Sequence, residues 1–234
     1  MDTRFHPTPH DVERYHRLRT LSRELNDRMV TTIPRQAYTD IGEALGIMRN
    51  GVLVFDSEDM TAVMADSCLY EWFQDGRNLV ERYADQCPPE PGTDKGLLFD
   101  AYLRAEFGII KLESAVPDAG VYCTELLSQQ KLFLMDRALS RNPSGIMLAT
   151  RLIPMGDYWM TGGAVLPIVD AKALVRSLDA LFAGKQDAPL GRVALFIIRT
   201  CLDAGAAERV RYASLGEAPK KRRIEPRHIW RRGR

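Results

Sequence analysis

Phe107-Gly108-Ile109-Ile110-Lys111-Leu112-Glu113 is where the pattern of this chain changes. Before it, apolar residues recur every three or four positions. From Gly108 onward they crowd into short runs. Val121-Tyr122-Cys123-Thr124, Lys131-Leu132-Phe133-Leu134-Met135, Ile146-Met147-Leu148-Ala149-Thr150-Arg151-Leu152 and Tyr158-Trp159-Met160-Thr161 repeat the pattern. Pro117-Asp118-Ala119-Gly120, Asn142-Pro143-Ser144-Gly145 and Pro154-Met155-Gly156-Asp157 separate the runs with turn residues. Short strands at such regular spacing predict a small antiparallel β-barrel or sheet. Gly162-Gly163 reads as a bulge or turn, and Val165-Leu166-Pro167-Ile168 adds an edge strand.

Upstream, the periodicity is helical. Thr8 is placed to cap a helix, with Pro9 at its first position and Asp11 near its positive end. Val12, Tyr15, Leu18, Leu21, Leu25 and Met29 then form one apolar face. A second helix is expected from about Arg35 to Leu45, with Gly46 ending it. Val52-Leu53-Val54-Phe55 is a strand or a buried connector, which length alone does not decide. A third helix starts at Ser57-Glu58-Asp59, carries Met60, Val63, Met64 and Cys68, widens through Leu69, Trp72 and Phe73, and closes at Gly76. A shorter helix follows through Leu79, Val80 and Tyr83. Cys87-Pro88-Pro89-Glu90-Pro91-Gly92 is the strongest break in the chain, and a helix from Thr93 to about Glu106 leads into the strands.

Downstream, Asp170 caps a helix with Leu174, Val175, Leu178, Leu181 and Phe182, closed by Gly184. A last helix runs from about Leu190 to Leu202. The expected class is therefore α+β: a helical N-terminal half, a small antiparallel β-barrel or sheet, two C-terminal helices and a basic tail. The organisation divides at 1–92, 93–168, 169–218 and 219–234, the last a basic, flexible tail.

Two stretches have a familiar look. One is Gly51-Val52-Leu53-Val54-Phe55-Asp56-Ser57-Glu58-Asp59, with Asp75-Gly76-Arg77-Asn78 after its helix. The other is Leu132-Phe133-Leu134-Met135-Asp136-Arg137-Ala138-Leu139-Ser140-Arg141, leading to Leu148 through Pro154. Together they resemble uncharacterised bacterial proteins, some of which end in a SEC-C-type zinc knuckle. The resemblance covers residues 10–170 and implies no activity. The knuckle is absent, since no cysteine follows Cys201.

Composition narrows the function. Hydrophobic content of 45% and charged content of 27% fit a soluble globular protein. No apolar leader follows Met1, and the longest apolar run, Val193 to Ile198, is too short to span a membrane. The four cysteines, Cys68, Cys87, Cys123 and Cys201, are scattered, which suits a reducing cytoplasm. Arginine (25) exceeds lysine (7), as a GC-rich bacterial genome would give.

Candidate chemistry is sparse. His6, His10, His16 and His228 leave the body without a central general base. No phosphate-loop or dinucleotide motif occurs, and no cofactor or metal is implied. Asp56, Glu58, Asp59 and Asp66 form an acidic cluster, and Asp56, Asp59 and Asp66 would suit a metal-dependent hydrolase if their oxygens converged. The simpler reading is a capped helix start with Asp66 facing solvent. Cys68 and Cys123 read as small hydrophobes. Tyr122, Tyr158 and Trp159 either stack bases on an exposed wall or, as preferred, pack inward. Arg137, Arg141 and Arg151 would extend a basic strip if they shared a face.

The functional asymmetry lies at the end. The last sixteen residues hold eight basic side chains against Glu225 alone, a charge of +7; with +1 for the whole chain, residues 1–218 carry −6. Such tails bind polyanions. The reading is a non-enzymatic cytoplasmic protein contacting RNA or DNA phosphates through Lys220, Lys221, Arg222, Arg223, Arg227, Arg231 and Arg232. The alternative is a protein–protein adaptor docking through Ile229 and Trp230. No membrane partner is expected.

Overall fold

Thr8 begins the first helix as its spacing predicts. Its hydroxyl accepts the Asp11 amide while the Asp11 carboxylate accepts the Thr8 amide, so the capping is reciprocal. The computed structural model describes residues 5–54, 58–142 and 144–206, with the side chains of residues 58 and 59 set aside. The basic tail, with Ile229 and Trp230, lies outside the described residues, as does Asp56.

Helix α1 (Pro9–Val30) buries Tyr15, Leu18, Leu25 and Met29, and α2 (Arg35–Leu45) ends at Gly46 in the left-handed region. The next apolar run forms only a minimal hairpin, β1 (Met48–Arg49) with β2 (Val52–Leu53), and leaves Val52 exposed. Helix α3 (Glu58–Glu71) buries Met60, Val63, Met64, Cys68 and Leu69. It stops short of Gly76. Trp72 leaves the helix and its indole N–H donates to Asp40 at 2.8 Å. A second small hairpin, β3 (Phe73–Gln74) with β4 (Arg77–Asn78), then turns through Asp75 and Gly76, both at positive φ. Asp-Gly is the pair such a two-residue turn prefers. Asn78 caps α4 (Leu79–Gln86) and Thr93 caps α5 (Asp94–Leu103).

Strands β5 (Glu106–Val116), β6 (Gly120–Glu125), β7 (Lys131–Leu134), β8 (Met147–Pro154) and β9 (Trp159–Pro167) form a closed barrel in the order β5-β6-β7-β9-β8, with β8 paired back onto β5. Every pairing is antiparallel except β7 with β9, where Leu134 lies opposite Trp159 in parallel register. The arrangement is a five-stranded Greek-key barrel, the kind met in OB-folds. The barrel departs from two expectations. Val165 to Ile168 is no edge strand, because Trp159–Pro167 runs as one strand between β7 and β8. The barrel is also not purely antiparallel. The glycine pair does sit at an irregularity, where the register shifts between Thr150 and Leu152 of the facing strand and Gly163 takes a φ of 103°.

Helices α6 (Ala171–Phe182) and α7 (Val193–Asp203) complete the chain of described elements. Leu174 and Leu178 face the core, but Val175 and Phe182 are exposed, so the apolar stripe of α6 is narrower than its sequence suggests. Leu190 lies in a 3₁₀ turn at φ 51°, and α7 starts only at Val193.

Alternation along the strands makes two cores. Ile110, Leu112, Val121, Cys123, Leu132, Leu134, Leu148 and Leu152 fill the barrel. Ile109, Phe133, Ala149, Ile153, Met160, Ala164 and Leu166 line its outer wall and join the helices in one larger cluster. Among the described residues no helix is long and apolar enough to cross a membrane.

Candidate functional site

Strand β8 alternates Leu148 and Leu152 into the barrel with Ala149, Arg151 and Ile153 onto the outer wall. Arg151 therefore occupies an apolar position, and burial there demands partners. Helix α3 supplies them. The Arg151 Nη2 donates to Asp66 Oδ2 at 2.9 Å and to Glu71 Oε1 at 2.7 Å, and its Nε reaches the same Asp66 oxygen at 3.3 Å. The three side chains are 3%, 9% and 9% exposed, so this trio is desolvated. Its guanidinium carbon lies 4.2 Å from the centroid of the Tyr70 ring and 5.3 Å from that of Phe107, which pairs with Arg151 across β5 and β8. Burial opposes the Arg151 charge, but Asp66 and Glu71 outweigh it and hold the guanidinium above its ordinary pKa. Burial, then the Asp66 charge, keeps the Tyr70 phenol well above its usual range.

The glycine bulge makes room for this contact. A Cβ on Gly162 would sit 2.9 Å from the Arg151 Cβ and 3.2 Å from Asp66 Oδ1. Next along β9, Thr161 ties three elements together. Arg19 of α1 donates to the Thr161 carbonyl at 2.6 Å, and the Thr161 hydroxyl donates to Asp136 Oδ2 at 3.1 Å. The amides of Ala138 and Leu139 donate to the other Asp136 oxygen. Beside the trio lies a cavity of about 170 Å³ between Asn26 and Val30 of α1, Ala62, Ala65, Asp66, Leu69 and Tyr70 of α3, and Ile153, Gly162 and Ala164 of the barrel.

Asp66 does not face solvent; it is buried and its Oδ2 is taken by Arg151. Asp56 and the Asp59 side chain lie outside the described part, and among the described residues no three His, Cys, Asp or Glu side chains gather to hold a metal. His6, His10 and His16 are all exposed. Arg151 is no part of a basic strip, and Arg137 pairs with Asp118 at 3.1 Å. Cys68, Cys123 and Cys201 are buried, and burial pushes each thiol up to about 12, which removes them as nucleophiles at neutral pH. Cys87 is exposed.

The aromatic candidates pack rather than present rings. Tyr158 is buried. Trp159 packs against the barrel interior. Tyr122 donates its hydroxyl to the Phe5 carbonyl at 2.8 Å and meets Phe133 edge-on at 5.0 Å. Phe5 lies over this wall, 5.4 Å from Phe133 and 5.6 Å from Tyr158.

Glu71 and Tyr70 were not legible as site residues. The available signal was an arginine flanked by Leu148-Ala149 and Leu152-Ile153, which needs an acid on a facing element.

Fold and site together define an α+β protein whose Greek-key barrel is clasped to its helices through a buried ion trio and a small adjoining cavity. The chain belongs to a family of unknown function (DUF7986), whose profile matches residues 9–176. That span contains α1 to α5, the whole barrel, the trio and the cavity, and it stops before the basic tail. No curated protein matches the chain, and no solved structure does.

Proposed function

We propose that this is a non-enzymatic, cytoplasmic bacterial protein that binds nucleic acid through its basic C-terminal segment. One observation carries the reading: +7 on residues 219–234 against −6 on residues 1–218. Arginine forks match phosphate oxygens, and five of the seven proposed contacts are arginine: Arg222, Arg223, Arg227, Arg231 and Arg232. Lys220 and Lys221 add point charges. Backbone contacts of this kind give affinity with little sequence preference. The acidic body repels the same phosphates, which restricts contact to the segment.

The test compares the full chain with residues 1–218 for binding to a single-stranded RNA and a duplex DNA by fluorescence anisotropy. Binding of both by the full chain, lost on truncation, supports the reading. Equal affinity of the two proteins overturns it. The adaptor reading rests on Ile229 and Trp230 between arginines. It predicts that Trp230→Ala abolishes capture of a protein partner while nucleic-acid affinity stays where it was.

A further inference from the structure

Independently of the tail, the buried trio is out of electrical balance. Two carboxylates, Asp66 and Glu71, face one guanidinium, so as ionised groups they leave a surplus of one negative charge more than nine-tenths removed from solvent. Buried charge of this kind calls for a counter-ion or for hydrogen bonds to every oxygen.

Other buried carboxylates in the molecule meet that demand. Glu125 Oε1 accepts the Ile109 amide, and its Oε2 accepts both the amide and the hydroxyl of Ser128. Asp136 likewise uses both oxygens. Asp66 and Glu71 do not. Arg151 takes Glu71 Oε1 and Asp66 Oδ2 alone. Asp66 Oδ1 makes no hydrogen bond among the described residues but keeps some solvent access; the one fully buried side-chain polar atom without a partner among those residues is the Tyr158 hydroxyl. Arg19, the cation on the neighbouring helix, is turned to Thr161 instead.

The under-satisfied Asp66 carboxylate lines the cavity of about 170 Å³. The rest of that wall is mainly apolar, with Val30, Leu69, Ile153 and Ala164, and the Tyr70 phenol stands beside Asp66 as a neutral polar group. Ala62 is exposed, so the cavity reaches solvent along α3. An enclosed apolar cavity of roughly 150 Å³ accommodates a benzene-sized molecule; this one is of similar volume but adds the Asp66 carboxylate and Asn26 to its wall and opens to solvent. We propose that this cleft binds a small apolar molecule carrying a protonated amine, with Asp66 as counter-ion and the apolar wall holding the hydrocarbon part. The ammonium cancels the surplus charge and satisfies Oδ1, while one ring or a short chain fills the volume.

Benzylamine and its neutral counterpart benzyl alcohol, titrated into the full-length protein, test this directly. Calorimetry gives affinity, and NMR of the Ala62, Ala65 and Ala164 methyl groups gives location. The expected result is saturable benzylamine binding that moves these methyls and raises the melting temperature, with benzyl alcohol weaker by about tenfold or more. Ala65→Leu fills the cavity while leaving the three charged residues unsubstituted and should abolish binding. Asp66→Asn, if it folds, should remove the preference for the amine. Absence of saturable benzylamine binding, equal binding of the alcohol, or binding unchanged by Ala65→Leu each overturns the proposal.

Discussion

The trio in the body and the segment at the C-terminus hold charge in opposite ways. Arg151, Asp66 and Glu71 form two ion pairs under 3 Å, more than nine-tenths buried, among three groups. The last sixteen residues carry eight basic side chains with one acid and no apolar run. In the first, geometry decides: the charges are desolvated, shielded from salt, and each depends on the others. In the second, number decides: on the proposed reading each contact adds one phosphate pairing, and salt competes with all of them alike. Substitution and salt should therefore act in reverse order on the two. A single change ought to be severe in the trio and mild in the tail, while salt ought to spare the trio and weaken the tail.

The largest effect should come from Arg151→Met, which strands two carboxylates in the outer wall. A loss of about 3–5 kcal/mol is expected in urea denaturation, nearly the same at low and high salt. Replacing the whole trio with apolar residues (Asp66→Leu, Glu71→Leu, Arg151→Met) should recover most of that loss, because no charge is then left unpaired. Recovery would sharpen the comparison by showing that the fold does not need the ions. A triple variant as unstable as the single one would break it.

Gly162→Ala should come next, at about 1–3 kcal/mol, since its Cβ crowds Arg151 and Asp66. An unchanged melting curve would mean that β9 can shift away from the trio. Glu125 offers a test by pH. Burial pushes its pKa up, but hydrogen bonds from Ser128, Leu127 and Ile109 outweigh this and leave it below the usual carboxylate value. Its stabilisation is thus present above the unfolded-state pKa and is lost as pH falls through the lower folded value. Glu125→Gln should cost about 1–3 kcal/mol at pH 7 and flatten the acid limb of the stability profile; an unaltered limb would assign it to other groups. The smallest effect is expected from Arg231→Ala: stability unchanged, and a salt slope shallower by about 0.7 on single strands. A collapse of binding on this one change would show that the tail also depends on geometry.

Most of the fold was legible because local chemistry and tertiary packing agree. The Thr8 box, the Gly46 stop and the Asp170 cap all stand where residue types alone put them. The strands were visible as apolar runs between turn signals, but their pairing was not. The parallel contact of β7 with β9 depends on how the barrel closes, and no residue announces it. Gly162-Gly163 interrupts the apolar pattern, so one strand looks like two. Trp72 and Phe73 prolong the stripe of α3, which hid the Asp75-Gly76 hairpin behind an apparent helix end.

The trio was hidden for a different reason. Asp66 and Arg151 are 85 residues apart. An acid on a helix looks solvent-facing until its partner is known, and β8 is apolar on both faces, so alternation gives Arg151 no direction. The charge asymmetry of the tail needs no such tertiary knowledge, because it is a property of composition.

A salt series on single-stranded RNA tests the central claim most directly. With the seven proposed contacts engaged, the logarithm of the binding constant of the full chain should fall against the logarithm of salt concentration with a slope of about −5, and residues 1–218 should show neither the affinity nor the slope. A shallow slope for the full chain, or the same slope in both proteins, would contradict the account.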